Sequence, residues 1–394
     1  MKLSTTLNRW YPLLLLLLVL LGFGLAGFRE VVANTESDLL DQGAYLSMGL
    51  SAAEGRSWTD PYRQPLYSWL LSPFAGRDIG YFTRAKLLTL FFGLCGVAAC
   101  YFISWRLYAN PRMALLSAFL LAANSAFVRE AAVIMVEPLF ALLFLAVWWF
   151  GIWALDRGRA LDWAVGGILT GLSYLAKETG VLWLAAWSTG AALARPVRRR
   201  MLGRLVLFFL CAAAAVSPQF IHDLTRYGTL FRVGNVSNVM WMDYWEQFFI
   251  VDAGQRFSLS NYLQTHTLAE IWGRLFGDLP LLGVLTAYVF VPFELCRKLV
   301  ALLGGEALHC LWAVLLLLAL VALLYRRALL GYLRAEVRFV GFSLALLVPY
   351  MLIMSWIGVV TLDERYVVPL LPTGYVVLGG TLLFLGRHTA LGRP

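Results

Sequence analysis

Acidic residues in the stretch SDLLDQGAYLSMG, residues 37–49, are the first side chains in this chain that could do chemistry. If the stretch is helical, Asp38, Asp41 and Tyr45 fall at positions i, i+3 and i+7 and share one face. A carboxylate on such a face could act as a general base that takes a proton from a hydroxyl or an amine. The alternative is an amphipathic interfacial helix whose acidic residues are merely solvated, and both interpretations fit this stretch.

A second carboxylate, Glu137 in VREAAVIMVEPLFALLF, lies within an apolar segment. If one helix runs from Glu130 through this segment, the helical rise puts Glu137 about 10 Å deeper in the membrane. A carboxylate at that depth costs about 2–3 kcal/mol unless it faces a wet cavity or a partner. We therefore expect a functional role for Glu137. The alternative is a shallow glutamate that pairs with Arg129 or Arg84.

Two cations interrupt apolar segments further along the chain. Lys177 breaks the stretch GLSYLAKETGVLWL, and Arg365 opens a segment that contains Pro369 and Pro372. Helices broken by proline leave unpaired backbone groups, which membrane proteins tolerate where those groups line a cavity. Cations in a poorly hydrated cavity could hold a departing phosphate. The alternatives are that Lys177 pairs with Glu178 or another acid and that Arg365 only ends a helix.

The elements that must position these residues are membrane helices. Of the 394 residues, 60% are hydrophobic and only 14% are charged, and the mean hydropathy is +0.73. Such values lie far outside the range of soluble proteins. The net charge of +9 comes from arginines in short loops, which set orientation in a membrane, so we expect no nucleic-acid partner. Five cysteines without CxxC spacing indicate neither a disulfide framework nor a metal site.

Apolar runs predict about ten transmembrane helices in one domain, residues 1–394, with both termini in the cytoplasm. Two large loops, 29–80 and 222–307, then lie on the non-cytoplasmic side and carry interfacial helices. The count becomes eleven if 279–300 also crosses, but the positive-inside rule favours an interfacial or re-entrant segment there. A signal peptide that ends before Asn34 is an alternative for the first run. The predicted spans are 11–28, 83–105, 113–128, 131–154, 162–176, 180–195, 204–221, 308–325, 338–357 and 366–386.

Several motifs in a consistent order resemble one family over nearly the whole length. The chain resembles the GT-C glycosyltransferases that use polyprenyl-phosphate sugars, among them the dolichyl-phosphate-mannose protein mannosyltransferases and the lipid A aminoarabinose transferase. Each motif is weak alone, and their order carries the resemblance. They are DQGAYLSMG with DPYRQPLYSWLLSPF, TRAKLLTLFFG, VEPLFALL, GLSYLAKETGVLW, SPQFIHDLTRYGTLF and ERYVVPLLP.

The resemblance implies an all-α polytopic membrane protein with a GT-C-type fold. It implies a glycosyltransferase that moves a sugar, with inversion, from a polyprenyl-phosphate donor to a lipid, glycan or protein acceptor. The reaction would take place at the non-cytoplasmic face of a cell membrane, of the bacterial inner-membrane type. We expect Asp41 to be the base. The other candidates are Glu137 and Asp38 in catalysis, Lys177, Arg365 and Arg84 at the donor phosphate, and Tyr45, Arg63 and Tyr366 at the substrates.

The chain departs from the family pattern in three respects. Many members have Asp-Glu where this chain has Asp41 and Gln42, so a second carboxylate is missing. A lysine-proline string is reduced to Arg63 and Gln64, and we expect no separate soluble C-terminal domain. Because the family includes metal-dependent and apparently metal-independent members, the cofactor stays unknown, with a divalent cation as one alternative. The sequence names neither the sugar nor the acceptor.

Two other interpretations stay open at this point. A multispan transporter or lipid flippase would also need intramembrane charges, but it should have two related halves, and the sequence contains no such repeat. The pair His222 and Asp223 could bind a metal, although a pair at a helix end is more typical of a cap or a hydrogen-bonded structural element.

Overall fold

Helices form the framework of the chain in the computed structural model, which describes residues 2–57, 59, 63–194, 199–228, 239–248, 257–294, 298 and 337–388. Those residues contain no β-strand. The helices are α1 Lys2–Ala33, α2 Gln42–Ala53, α3 Leu66–Leu71, α4 Gly80–Tyr108, α5 Pro111–Ala122, α6 Ser125–Glu130, α7 Glu137–Arg157, α8 Ala160–Ala176, α9 Leu182–Leu193, α10 Arg199–Tyr227, α11 Leu259–Thr265, α12 Leu268–Gly277, α13 Leu279–Val289, α14 Val337–Gly358 and α15 Leu371–His388. Short 3₁₀ turns lie at Ser72–Phe74, Glu178–Val181, Trp245–Phe248, Glu364–Tyr366 and Val368–Leu370.

Six segments in the described ranges are long and apolar enough to cross a membrane. Pro111–Ala122 and Ala160–Ala176 are shorter apolar helices. A helix of 12 residues is about 18 Å long, less than the roughly 30 Å hydrocarbon core, so α5 does not cross by itself. The predicted span 308–325 lies outside the described residues, and the total of ten spans stays a prediction. The six are Tyr11–Ala33, Gly80–Tyr108, Glu137–Arg157, Arg200–Arg226, Val337–Gly358 and Glu364–Gly386.

Segment 279–300 begins with the 11-residue helix α13. At 1.5 Å per residue this helix is about 16 Å long, too short to cross a bilayer. Its end is fixed by buried polar contacts, since Asn124 donates to the Val289 carbonyl at 2.7 Å and Tyr375 donates to the Phe290 carbonyl at 2.8 Å. The described part of 279–300 therefore agrees with the prediction that this segment does not cross the membrane.

The expectation of one continuous helix from Glu130 to Glu137 is wrong. Helix α6 ends at Glu130, the backbone from Ala131 to Val136 is not helical, and Glu137 is the first residue of α7. Pro138 lies in the first turn, where its missing N–H and fixed φ favour a helix start. Glu137 therefore sits at a helix end, and a depth calculated from the helical rise does not apply.

The second correction concerns the first loop. Asp38 does not share a helical face with Asp41 and Tyr45, because α2 begins only at Gln42 and residues 37–41 form a turn. Leu40 has φ of 55° in that turn, a left-handed conformation that a helix excludes. Asp41 therefore occupies the N-cap position of α2, and its side chain is available for contacts outside the helix.

Close packing of α8 against α10 fixes the end of α8, where Lys177 follows. A Cβ on Gly167 would lie 2.3 Å from the Phe208 carbonyl oxygen, and one on Gly171 would lie 2.8 Å from that of Ala212. Small residues let two membrane helices approach to backbone contact. The chain leaves α8 at Lys177 in an extended conformation, with φ of −154°, and so directs the lysine side chain away from the helix axis.

Candidate functional site

Asp41 lies between two arginines that come from opposite ends of the chain. Arg63 Nη2 donates to Asp41 Oδ1 at 2.6 Å, and Arg365 Nη1 donates to Asp41 Oδ2 at 3.2 Å. All three side chains are partly buried, with 33% of Asp41, 22% of Arg63 and 20% of Arg365 exposed. Each carboxylate oxygen thus has its own guanidinium partner at a position that ligands can still reach.

The arginines control the charge of Asp41. Burial by itself would raise the pKa of this carboxyl, but the hydrogen bond and charge of Arg63 and the charge of Arg365 outweigh burial. The net effect holds the pKa of Asp41 below its usual value of 3.8. Asp41 is therefore a carboxylate at neutral pH and able to accept a proton, although the two arginines weaken it as a base.

A second ion pair joins Lys177 to Glu137. Lys177 Nζ donates to Glu137 Oε1 at 3.0 Å, and only 14% of the lysine and 3% of the glutamate side chain is exposed. The other oxygen, Glu137 Oε2, is buried and has no hydrogen-bond partner in the described ranges. Buried charges need a partner, so each of these residues stabilises the other in place. Arg129, the partner considered from the sequence, instead lies 3.1 Å from Glu364.

Tyr366 connects the two ion pairs. Its ring centroid is 5.2 Å from Lys177 Nζ and 5.4 Å from Arg365 Cζ, within the range of cation–π contacts. Tyr350 donates a hydrogen bond to the backbone carbonyl of Tyr366 at 2.7 Å and holds this turn. The two ion pairs are therefore neighbours in one cluster.

Tyr45 closes the cluster on the side of Arg63. Its ring centroid lies 6.0 Å from Arg63 Cζ and 5.0 Å from the ring of Tyr67, in an edge-to-face arrangement. Burial raises the pKa of Tyr45 well above 10, and the charges of Glu137 and Asp41 add to the effect. Tyr45 therefore stays neutral, and its ring forms a wall of the cluster.

Two predicted site residues lie outside this cluster. Asp38 is exposed in the turn before α2. Arg84 Nη2 contacts Asp78 at 2.9 Å, and Arg84 Nε donates to the Phe74 carbonyl at 3.0 Å. The structure thus brings together the following predicted residues: Asp41, Tyr45, Arg63, Glu137, Lys177, Arg365 and Tyr366.

Sequence reasoning missed two further carboxyl groups at the cluster. Asp363 Oδ2 lies 3.5 Å from Arg365 Nε, two residues away in the same turn. Glu130 precedes the break between α6 and α7, and burial, together with Glu137 and Asp363, raises its pKa to about 8. Burial therefore favours the neutral form of Glu130. Its position after Arg129 in an apolar segment is the only signal in the sequence that could have singled it out.

Gln42 stands where the family resemblance implied a second carboxylate beside Asp41. Its side chain is fully buried, and its Oε1 accepts hydrogen bonds at 2.9 Å from both Ile134 N and Asn34 Nδ2. Its Nε2 donates to the Glu36 carbonyl at 2.8 Å. Because this pattern needs a donor and an acceptor on one side chain, an amide suits it and a carboxylate does not. Through these hydrogen bonds, Gln42 connects the first loop to the non-helical segment before Glu137.

The residues around Asp41 do not fit a divalent cation. Both of its oxygens contact guanidinium groups, which take the place of a metal ion. Within the described parts of the chain, no group of three or more His, Cys, Asp or Glu side chains is arranged to hold a metal. His222 and Asp223, at 3.4 Å from each other, form a structural pair instead, because His222 Nδ1 also lies 3.0 Å from Thr59 Oγ1.

Comparisons with known proteins agree with the resemblance seen in the sequence. Residues 63–222 match the family model described as dolichyl-phosphate-mannose-protein mannosyltransferase. The crystal structure of ArnT from Cupriavidus metallidurans bound to undecaprenyl phosphate is similar with a TM-score of 0.55 and 15% identity, over 94% of this chain and 60% of that one. The apo state of the same protein gives 0.54 and 15%, over 96% and 60%. No curated protein sequence matches the chain.

These likenesses confirm the predicted GT-C-type fold and the resemblance to the GT-C glycosyltransferases. The chain spans about 60% of the length of the solved structures it matches. The relatives found lend no support to the transporter or flippase alternative.

Proposed function

We propose that this chain, a multi-pass membrane protein with the GT-C fold of glycosyltransferases, transfers a sugar from a polyprenyl-phosphate donor to an acceptor hydroxyl or amine. One observation supports the proposal above all others. The cluster holds an ionised carboxylate, Asp41, directly beside the cations Arg63 and Arg365, with Lys177 adjacent. Sugar transfer from a phosphate needs this combination, a base for the acceptor and positive charge for the leaving group.

In the proposed reaction, the carboxylate acts on the acceptor and the cations act on the donor phosphate. Asp41 accepts the proton of the acceptor O–H or N–H, and the freed electron pair forms the new bond to the anomeric carbon. The bond from that carbon to the phosphate oxygen breaks, and its electrons stay on the polyprenyl phosphate. Attack opposite to the leaving group inverts the anomeric centre. No strong general acid is needed, because a phosphate is a weakly basic leaving group.

The cations stabilise the charge that develops on the phosphate. The donor is a phosphodiester with one negative charge, and the departing polyprenyl phosphate carries more, so contacts with cations strengthen as the bond breaks. Arg63 Nε is buried without a hydrogen-bond acceptor in the described residues, so this guanidinium has a donor to spare. Lys177 has three donor positions, of which Glu137 uses one.

Donor binding and base strength are coupled in this arrangement. A phosphate that attracts Arg63 or Arg365 weakens their contacts with Asp41. Since these contacts lower the pKa of Asp41, their loss raises it and makes the carboxylate a better base. The free site thus keeps Asp41 paired, and the loaded site activates it for the acceptor.

Sidedness and acceptor are part of the same proposal. We place the site on the non-cytoplasmic face of a bacterial-type inner membrane, because the arginine-rich loops would then face the cytoplasm. The acceptor is a lipid, a glycan or a protein that reaches this face.

A transfer assay tests the function. Purified protein in detergent or liposomes is mixed with undecaprenyl-phosphate sugars, each labelled on the sugar, and with a membrane extract as the source of acceptor. We expect the label to leave one of the lipid donors and to appear on an acceptor. If no donor is consumed while each is shown to bind, the chain is a lipid-binding protein and the proposal is wrong.

A further inference from the structure

A second polar cluster lies directly behind the cations of the first. Gln64 follows Arg63 in the chain, and Glu178 follows Lys177. The Gln64 amide interacts with the Glu178 carboxyl and with the Tyr174 hydroxyl near the end of α8. Arg63 and Lys177 thus contact the first cluster, at Asp41 and Glu137, whereas Gln64 and Glu178 contact each other.

Helix α10 provides the other wall of this second cluster. Asp223 is 3% exposed and interacts electrostatically with Tyr174. Gln219 lies one helical turn earlier on the same face and is 5% exposed. His222 connects this wall to the first loop, since its Nδ1 lies 3.0 Å from Thr59 Oγ1. The first loop, α8 and α10 therefore meet at this second cluster of polar side chains.

Two buried side-chain oxygens of this second cluster lack hydrogen-bond partners in the described ranges. Gln64 Oε1 and Gln219 Oε1 are buried, and neither has a hydrogen-bond partner in the described ranges. Gln64 is 4% exposed, and its amide is held in the cluster by its contacts with Glu178 and Tyr174. In the same ranges, no lysine or arginine forms an ion pair with Glu178 or Asp223, and Asp223 Oδ1 lies 3.4 Å from His222 Nδ1. Unpaired buried acceptors next to the phosphate-binding cations suit a ligand that brings hydrogen-bond donors.

We propose that Gln64, Glu178, Gln219 and Asp223 form the subsite for the sugar of the lipid donor, which they bind through its hydroxyl or amino groups. This inference rests on the proposed function. The sugar is bonded directly to the donor phosphate, so its subsite must adjoin the phosphate-binding cations. Gln64 and Glu178 meet this requirement, because each is joined to one of those cations by a single peptide bond.

Two variants of similar shape test the subsite, Glu178→Gln and Gln219→Met. Binding to purified full-length protein is measured for undecaprenyl phosphate alone, for undecaprenyl-phosphate mannose and for undecaprenyl-phosphate aminoarabinose. We expect each variant to bind the preferred sugar-bearing lipid about 5- to 50-fold more weakly than the wild type, since a hydrogen bond to the sugar is lost. Binding of the sugar-free lipid should change less than about twofold, because the phosphate contacts are intact.

The sugar-free lipid also serves as the test of folding. Ser104→Ala is the matched control, since Ser104 is buried, has an unpaired Oγ and lies at the opposite end of α4 from the first loop. It should leave the binding of all three lipids unchanged. Equal weakening for lipids with and without sugar, or no weakening in either variant, would overturn the subsite. A wild-type protein that binds the sugar-bearing lipids but transfers nothing would instead contradict the proposed function.

Discussion

Arg365 and Asp41 are separated by 324 positions in the chain, and their side chains meet at 3.2 Å. This contact joins the first loop to the turn before the last helix. Arg63 Nη2 donates to the other oxygen of the same carboxylate at 2.6 Å. The relationship determines both the charge of the candidate base and its distance from the cations.

Asp41→Asn should abolish sugar transfer while the protein still binds the donor at least as tightly as the wild type and keeps nearly the same thermal stability. The amide keeps the shape of the side chain and removes its ability to accept a proton. Turnover is measured from labelled donor, and donor binding is measured separately. Asp38→Asn is the matched control, and we expect it to cost little because Asp38 is exposed outside the cluster. Near-normal turnover by Asp41→Asn, or a dead Asp38→Asn, would show that the base is assigned to the wrong residue.

Arg365→Gln should raise KM for the lipid donor about tenfold or more, and KM for the acceptor much less, because the lost contact is with the phosphate. Steady-state kinetics with each substrate varied in turn measure the two effects. Arg84→Gln serves as the comparison, since Arg84 contacts Asp78 rather than the cluster. An equal rise for donor and acceptor in Arg365→Gln would remove this residue from the phosphate site.

Lys177→Met should destabilise the protein by about 3–5 kcal/mol, because it leaves Glu137 charged and unpaired in a buried position. Adding Glu137→Gln should recover most of that loss, since no buried charge then remains. Thermal or denaturant unfolding in detergent measures both variants. If the double variant is no more stable than Lys177→Met, the two residues do not depend on each other for stability.

The pH dependence of the rate should reflect the arginines around Asp41. Since they hold its pKa below 3.8, protonation of Asp41 should not reduce kcat/KM between pH 5 and 8. Arg63→Gln removes the strongest of these contacts, so its acid limb should lie at a higher pH than that of the wild type. Rate profiles of the two proteins are compared down to the pH at which each rate falls. Superimposable acid limbs would mean that Arg63 does not control Asp41.

Gln42→Glu should destabilise the protein by about 1–3 kcal/mol, because the side chain is fully buried and both donates and accepts hydrogen bonds. A glutamate cannot donate to the Glu36 carbonyl, and its charge would be buried beside Asp41. Unfolding midpoints measure the change. Glu36→Gln is the control and should be neutral, since only the backbone carbonyl of Glu36 accepts the bond. A Gln42→Glu protein as stable as the wild type would contradict the role of the amide.

Local chemistry in the sequence determined much of this protein. Apolar length and sparse charge are properties of single segments, so the membrane class, most helices and the unusual positions of Glu137, Lys177 and Arg365 follow from reading along the chain. The order of motifs was sufficient to predict the GT-C-type fold. The helix through Glu130 and Glu137 was a wrong prediction. In the break between these residues, the backbone finds hydrogen-bond partners on other segments, as Ile134 N does on Gln42. Periodicity in an apolar segment does not reveal such a break.

Only the tertiary structure decided which charges pair. Local spacing offered Glu178 for Lys177 and Arg129 for Glu137, and the structure pairs Lys177 with Glu137 across 40 positions. Arg63 and Arg365 likewise meet at Asp41, and Gln42 connects to Ile134. Ion pairs and hydrogen bonds act over a few ångströms of space, whereas sequence spacing describes neighbours within a single helix or loop. The partners of these residues therefore exist only once distant segments have packed together.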